Sequence, residues 1–188
     1  MGRKRLVVGI SGASGVMYGI RLLELLKSCP DIETHLVISK AAKQTLHYET
    51  ASSANEIEAL ADVSYNPQDI AAAIASGSFI TSGMIVAPCS MRSLAEIATG
   101  NTNSLLTRAA EVVLKERRRL VLLTRESPLH QVHLENMLKI TQMGGIIAPP
   151  VAAFYNQPQN ISDIITHSVG RALDLFDIHL AAVKRWRE

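Results

Sequence analysis

Aromatic residues make up only 4% of this 188-residue chain, within a hydrophobic content of 47%. Ala, Ile, Leu and Val must therefore fill most of a core, and that hydrophobic share argues against disorder. Cysteine is scarce too: Cys29 and Cys89 stand without a C-x-x-C motif and without a histidine at zinc-ligand spacing. This usage fits a reducing cytoplasm. Charge of one sign is also lacking. A net charge of +2 is too small to suggest a nucleic-acid partner. No apolar run approaches a membrane span. The start Met1-Gly2-Arg3-Lys4-Arg5 resembles a basic signal-peptide region, but the apolar stretch after it soon meets Ser11, Gly12, Ser14, Gly15 and then Arg21. Leu6 stands where myristoylation needs Ser or Thr. Linkers, repeats and low-complexity segments are missing as well. The expectation is a soluble, cytoplasmic chain forming one domain over residues 1–188.

What is present is a set of short apolar runs at Leu6–Ile10, His35–Ile38, Met84–Ala87, Leu120–Leu123 and Gly145–Ala148. Helical spacing fills stretches between them, at Tyr18–Leu26, Leu105–Leu114, Val132–Met143 and Ile161–Phe176. Strands alternating with helices predict an α/β fold with a doubly wound, mostly parallel sheet covered on both faces. Ser90 is placed to cap the helix after the third run, and Pro88 to help end the strand. In such folds ligands sit beyond the carboxyl ends of the strands. The segments to inspect are then Ser11–Gly15, Ser39–Lys40, Pro88–Ser93, Thr124–Glu126 and Pro149–Pro158.

The first of these follows a β-branched run and opens a helix, so its backbone N–H groups and dipole end suit a phosphate. Its glycines match neither the dinucleotide pattern nor a P-loop. The plain alternative is a strand–helix turn with small residues for close packing. In Cys89-Ser90-Met91-Arg92-Ser93 the hydroxyls can donate to a phosphate or a ring carbonyl. The alternative there is an N-cap with a solvent-facing Arg92, and a buried thiol is the commoner fate of a lone Cys89. Lys115 ends a basic helix on which Arg108 can share its face, although a solvated helix end explains most of those charges. Arg125 offers a planar fork for phosphate and Glu126 a proton acceptor, unless the two form an exposed ion pair. Tyr155, in a proline-bounded loop, can close over a ligand or simply plug the core. Arg171 lies on the last helix, and Trp186 in the tail suggests a contact.

Taken together, these segments resemble the flavin prenyltransferase family of the UbiX type. The resemblance is carried nearly end to end by the SGASG turn, Ile38-Ser39-Lys40-Ala41-Ala42, Pro88-Cys89-Ser90 and Arg108-Ala109-Ala110 with Leu114-Lys115-Glu116-Arg117-Arg118. Arg125-Glu126 with Pro128, His133-Leu134-Glu135-Asn136-Met137 and Phe154-Tyr155 with Gln157-Pro158 complete it. Arg119 departs from the pattern, which expects proline.

The resemblance implies a Rossmann-like flavoprotein, assembled as a homododecamer with FMN bound where subunits meet. It implies joining a dimethylallyl group from dimethylallyl phosphate to N5 and C6 of reduced FMN without a metal, the prenylated FMN then serving a UbiD-type decarboxylase. It assigns Gly12, Ala13, Ser14, Ser39, Ser90, Met91, Arg92, Ser93 and Arg125 to the flavin. Ser14, Lys115, Arg125, Tyr155 and Arg171 go to the isoprenyl phosphate, with Arg108 contributing from the assembly. Ser14, Glu49, Lys115 and Glu126 are the implied catalytic residues, Trp186 an aromatic near the site, and the tail from about 177 a subunit contact. Two other readings remain: an FMN-dependent cysteine decarboxylase, whose Pro-x-Met-Asn-x-x-Met-Trp segment is missing here, and a non-catalytic FMN carrier.

Overall fold

A computed structural model describes residues 2–183. The six strands are β1 (Lys4–Ile10), β2 (Ile32–Ile38), β3 (Val63–Tyr65), β4 (Gly83–Cys89), β5 (Arg119–Thr124) and β6 (Ile146–Ile147). All pair in parallel, in the order β3-β2-β1-β4-β5-β6. The helices are α1 (Val16–Leu26), α2 (Lys40–Glu49), α3 (Ala54–Glu58), α4 (Met91–Thr99), α5 (Leu105–Lys115), α6 (Gln131–Gln142) and α7 (Ile161–Asp174).

The apolar runs become strands because alternate side chains leave a strand on opposite faces and both faces are covered here. Leu6, Val8, Ile10, Ile85, Val121 and Leu123 point into a core shared with α1, α2 and α7. Val7, Met84, Val86, Leu120 and Leu122 point into the opposite core, with α4 and α5. Each fully buried Leu or Val contributes about 1.5–3 kcal/mol, so a one-residue slip in any central strand would forfeit several such terms.

Three features depart from the sequence expectation. β3 lies at the sheet edge, too short and too exposed to show as an apolar run. Helices α2 and α3 bury little, Ala42 and Leu46 in one and Ile57 in the other, so neither shows a strong apolar stripe. Pro88 does not end its strand: β4 continues through it to Cys89, with a register irregularity between Val86 and Cys89. A proline is tolerated there because the Pro88 carbonyl takes up the linking role, accepting from both the Ser11 N–H and the Ser11 hydroxyl.

The winding of the chain reverses between β1 and β4. A crevice opens beyond the carboxyl ends of strands at such a point, and the loops after β1, β2 and β4 border it.

Candidate functional site

One buried hydroxyl ties two loops of the crevice together. Ser11, fully buried, donates its Oγ–H to the Pro88 carbonyl at 2.9 Å, and the same oxygen accepts from the Ser90 N–H at 2.7 Å. The loops after β1 and β4 are thereby fixed to one another. Beside them lies a cavity of about 250 Å³ lined by residues that include Gly12, Ser39, Ser90, Arg92, Ser93 and Ser104. Its polarity comes from helix starts. Ser39 caps α2, accepting from Ala42 N–H, Ser90 caps α4, accepting from Ser93 N–H, and Ser104 caps α5, accepting from Thr107 N–H. A serine that accepts a capping bond still has an O–H to donate, and Ser90 gives its own to the Ser93 Oγ at 3.2 Å. The cavity thus receives the positive ends of α2, α4 and α5 together with their serines, and Lys40 and Arg92 stand in its lining, Arg92 paired at 2.9 Å with Glu96 of the same lining. Gly12 is required on the opposite wall, because a Cβ there would lie 2.3 Å from the Ala41 Cβ.

The start of α1 is arranged differently. Gly15, with φ of 97°, turns the chain so that its N–H and that of Val16 face Glu49, whose Oε2 accepts from them at 2.8 and 3.1 Å. Two of the N–H groups at this helix start are therefore answered by the protein's own carboxylate. Burial acts to raise the Glu49 pKa, but hydrogen bonds from Ser14, Gly15 and Val16 and the charge of Arg125 outweigh it and hold the carboxyl below its ordinary range. Glu49 is consequently an ionised acceptor near neutral pH. Tyr18 packs beneath this turn, its phenol pKa raised by burial and moderated by Arg125. Arg125 follows β5 and is anchored through its N–H to the Cys89 carbonyl at 3.0 Å. Adjacent to it, the buried Thr124 hydroxyl has no hydrogen-bond partner among the described residues. Burial pushes the Cys89 thiol up to about 12, which removes it as a nucleophile.

Comparison with known proteins gives the arrangement its place. The Flavoprotein family model matches residues 1–171. A probable UbiX-like flavin prenyltransferase of Bacillus subtilis is 56% identical over 98% of this chain and 90% of its own length. The chain belongs to the UbiX-like flavin prenyltransferase family. Among solved structures, a dodecameric FMN-dependent UbiX-like decarboxylase from Escherichia coli O157:H7 superposes with a TM-score of 0.96 at 52% identity, covering 98% of this chain and 100% of that one. AnUbiX in complex with FMN and dimethylallyl pyrophosphate superposes with a TM-score of 0.97 at 50% identity, covering 99% and 98%. The FMN-dependent cysteine decarboxylase TvaF, at 15% identity and a TM-score of 0.63, shares the fold alone.

Of the residues that the resemblance assigns, one group lies together on the carboxyl side of the sheet. Gly12, Ser39, Ser90, Arg92 and Ser93 line the cavity. Ala13 is tied back to the Ser11 carbonyl, and Ser14, Glu49 and Arg125 cluster at the start of α1. Met91 packs partly into the core instead of lining the cavity. Glu126 is exposed, with its carboxylate accepting from the Ser127 N–H. Tyr155 and Arg171 form a second group along α7, where the Tyr155 hydroxyl meets His167 Nε2 at 2.9 Å and Arg171 pairs with Asp174 at 2.7 Å. Arg108 pairs with Glu111 on α5.

Lys115 is the residue that a single chain does not bring to the others. It ends α5 on the amino side of the sheet, beside Gly77 and hydrogen-bonded to Glu116. The physical reason is direction: α5 starts at the cavity with Ser104 and runs back to feed β5. Trp186 lies outside the described residues. Sequence reasoning places Ser11 in a segment to inspect but gives it no role, and it gives none to Tyr18, Ser104 or His167. Ser104 carried a readable signal, a serine directly before an apolar helical stretch; the other three owe their positions to tertiary contacts.

Proposed function

We propose that this chain joins a dimethylallyl group from dimethylallyl phosphate to N5 and C6 of reduced FMN, forming prenylated FMN that a UbiD-type decarboxylase then uses. The observation that carries the reading is the convergence of three serine-capped helix starts on the crevice of a UbiX-family fold, beside an ionised Glu49 and a cationic Arg125. Ser39, Ser90, Ser93 and Ser104 would hold the phosphate and polar edge of the flavin, and the orphan Thr124 hydroxyl offers it a further donor. This donor set fits a phosphorylated ring system, and AnUbiX, half identical in sequence, was solved with FMN bound. Reduced FMN supplies an electron-rich ring to an allylic carbon.

The residues of the chain act on the charges that the transfer develops. Breaking the allylic C–O bond leaves negative charge on phosphate, which Arg125, Tyr155 and Arg171 can take up as fixed donors. Losing one such donor typically costs roughly 3 kcal/mol of barrier. Lys115, on the amino side of its own sheet, can join this clamp only from a neighbouring copy, and Arg108 can contribute in the same way. Assembly has a physical motive: Val132, Leu134 and Leu138 on α6, with Val151, Phe154 and Ile161, are large apolar side chains left exposed by a single chain. The E. coli O157:H7 relative is a dodecamer, and the same state is proposed here. The tail from about residue 177, Trp186 included, would lie at these contacts. Glu126, exposed and ionisable, or the departing phosphate would accept the proton lost from N5; closing the ring at C6 would return one proton to the prenyl alkene as C6 gives one up, so this second bond leaves no net proton. Glu49, ionised at the start of α1, would steady positive charge as it develops on a bound flavin and prenyl group. A cytoplasmic setting is part of the same proposal. No helix among the described residues is long and apolar enough to cross a membrane.

The test is anaerobic incubation of the protein with reduced FMN and either dimethylallyl phosphate or the pyrophosphate, with the flavin then weighed by mass spectrometry. The monophosphate is expected to react. Lys115→Ala and Arg171→Ala should each lose at least tenfold in kcat/KM for the prenyl phosphate. Full turnover with unchanged apparent affinity would remove that residue from the clamp.

A further inference from the structure

The proposed clamp contains a tyrosine whose hydroxyl is already engaged. Tyr155 stands in an irregular loop between Pro150 and Pro158, close to half exposed. Its hydroxyl meets His167. This histidine is 8% exposed on the inner side of α7, its Nε2 lies 2.9 Å from the Tyr155 hydroxyl, and the rings meet edge to face at 5.6 Å between centroids. His167 also lines two cavities. One, of about 260 Å³, includes Arg21, Asn156 and Thr166; the other, of about 230 Å³, includes Pro150, Val151 and Arg171. Arg171 follows one helical turn after His167, so both project from the same face of α7.

A phenol has one hydrogen to give. If His167 presents a bare Nε2, that hydrogen goes to the imidazole and Tyr155 offers a phosphate only lone pairs. If His167 carries its hydrogen on Nε2, the imidazole donates to the phenol oxygen and the phenol hydrogen is freed to point outward. A neutral imidazole can do either. Burial first, and then the charge of Arg171, keep His167 neutral, with Asp174 opposing them.

We propose that His167 is a positioning residue for the prenyl phosphate: by donating from Nε2 to the Tyr155 hydroxyl it leaves the phenol's single hydrogen for the phosphate, next to Arg171. The inference rests on Tyr155 belonging to the clamp. His167 itself touches no substrate in this account; it acts through the phenol. No proton is consumed, because the imidazole changes only which nitrogen carries its hydrogen.

The experiment is a double-mutant cycle on the assembled protein, reading KM for dimethylallyl phosphate, kcat and FMN affinity separately. Tyr155→Phe should raise KM about tenfold or more, as expected for a lost hydrogen bond to a charged group, with FMN affinity unchanged. His167→Phe keeps the ring and removes the donor, and it should raise KM by a similar factor. The double variant should be no worse than Tyr155→Phe alone, and His167→Gln, which can place an N–H near the same point, should recover most of the loss. A raised KM in Tyr155→Phe with none in His167→Phe, or losses that multiply in the double variant, would overturn the positioning role while leaving the clamp intact. An unchanged KM in Tyr155→Phe would instead remove Tyr155 from the clamp and the inference with it. Should His167→Phe not fold, the imidazole nitrogen resonances decide. Adding dimethylallyl phosphate must shift Nε2 of the wild-type His167 toward its hydrogen-bearing form, and must not do so in Tyr155→Phe.

Discussion

Glu49 shows how a single residue redirects the reading of a motif. The glycine-rich turn does what its spacing suggests and offers N–H groups at a helix start, but the chain answers that offer internally. Glu49→Gln keeps the hydrogen-bond shape and removes the charge. It should lower stability by about 0.3–1 kcal/mol, the usual worth of an anion at a helix start, while turnover falls at least tenfold. Thermal melts beside single-turnover flavin assays check both halves. Asp62 provides a pH test far from the site. Burial raises its pKa, but Arg3 and the Thr34 N–H and hydroxyl outweigh that and bring the carboxyl from an ordinary 3.8 to about 2. A carboxyl with a depressed folded-state pKa stabilises the fold fully above its ordinary value and loses that contribution as pH falls through the lower one. The melting temperature should therefore drop between about pH 4 and pH 2. Asp62→Asn should start lower at neutral pH and lose part of that acid slope; an unchanged slope would count against the Arg3–Asp62–Thr34 link.

At the scale of elements, three serines at helix starts do two tasks, each capping a helix and presenting a hydroxyl to the same cavity. Ser90→Ala should cost about 1 kcal/mol in stability and weaken FMN binding about tenfold, measured by fluorescence titration. Ser53→Ala removes a cap on α3, away from the cavity, and should cost similar stability without touching FMN affinity. Much of this is legible in the sequence. The central strands β1, β4 and β5 announce themselves as branched apolar runs, and Ser90 sits where a cap must be. Elements that bury little, β3, α2 and α3, were hidden because apolar periodicity reports burial and they have hardly any. Pro88 misled because its missing N–H was read without knowing that Ser11 would claim its carbonyl. His167 was invisible for a related reason: a histidine inside a helix has no local signature, and its meaning lies in a tyrosine brought to it by a loop.

At the scale of the whole molecule, the placement of Lys115 ties the chemistry to assembly. The helix that begins at the serine-lined cavity must end at the opposite edge of the sheet, so one copy cannot hold Ser104 and Lys115 at the same point. Replacing Leu134 and Leu138, exposed on α6, with Glu should disperse the assembly, as light scattering would show. Prenyl transfer should then be lost even though each chain stays folded. A dispersed variant that kept full turnover would show that Lys115 is not needed from a neighbour. The central claim, that this fold attaches a prenyl group to a flavin, is tested most directly by the mass of the flavin released after anaerobic incubation with dimethylallyl phosphate. The account predicts reduced FMN heavier by one isoprenyl unit. Recovery of unmodified FMN with both the phosphate and the pyrophosphate, from protein shown to bind FMN, would contradict it.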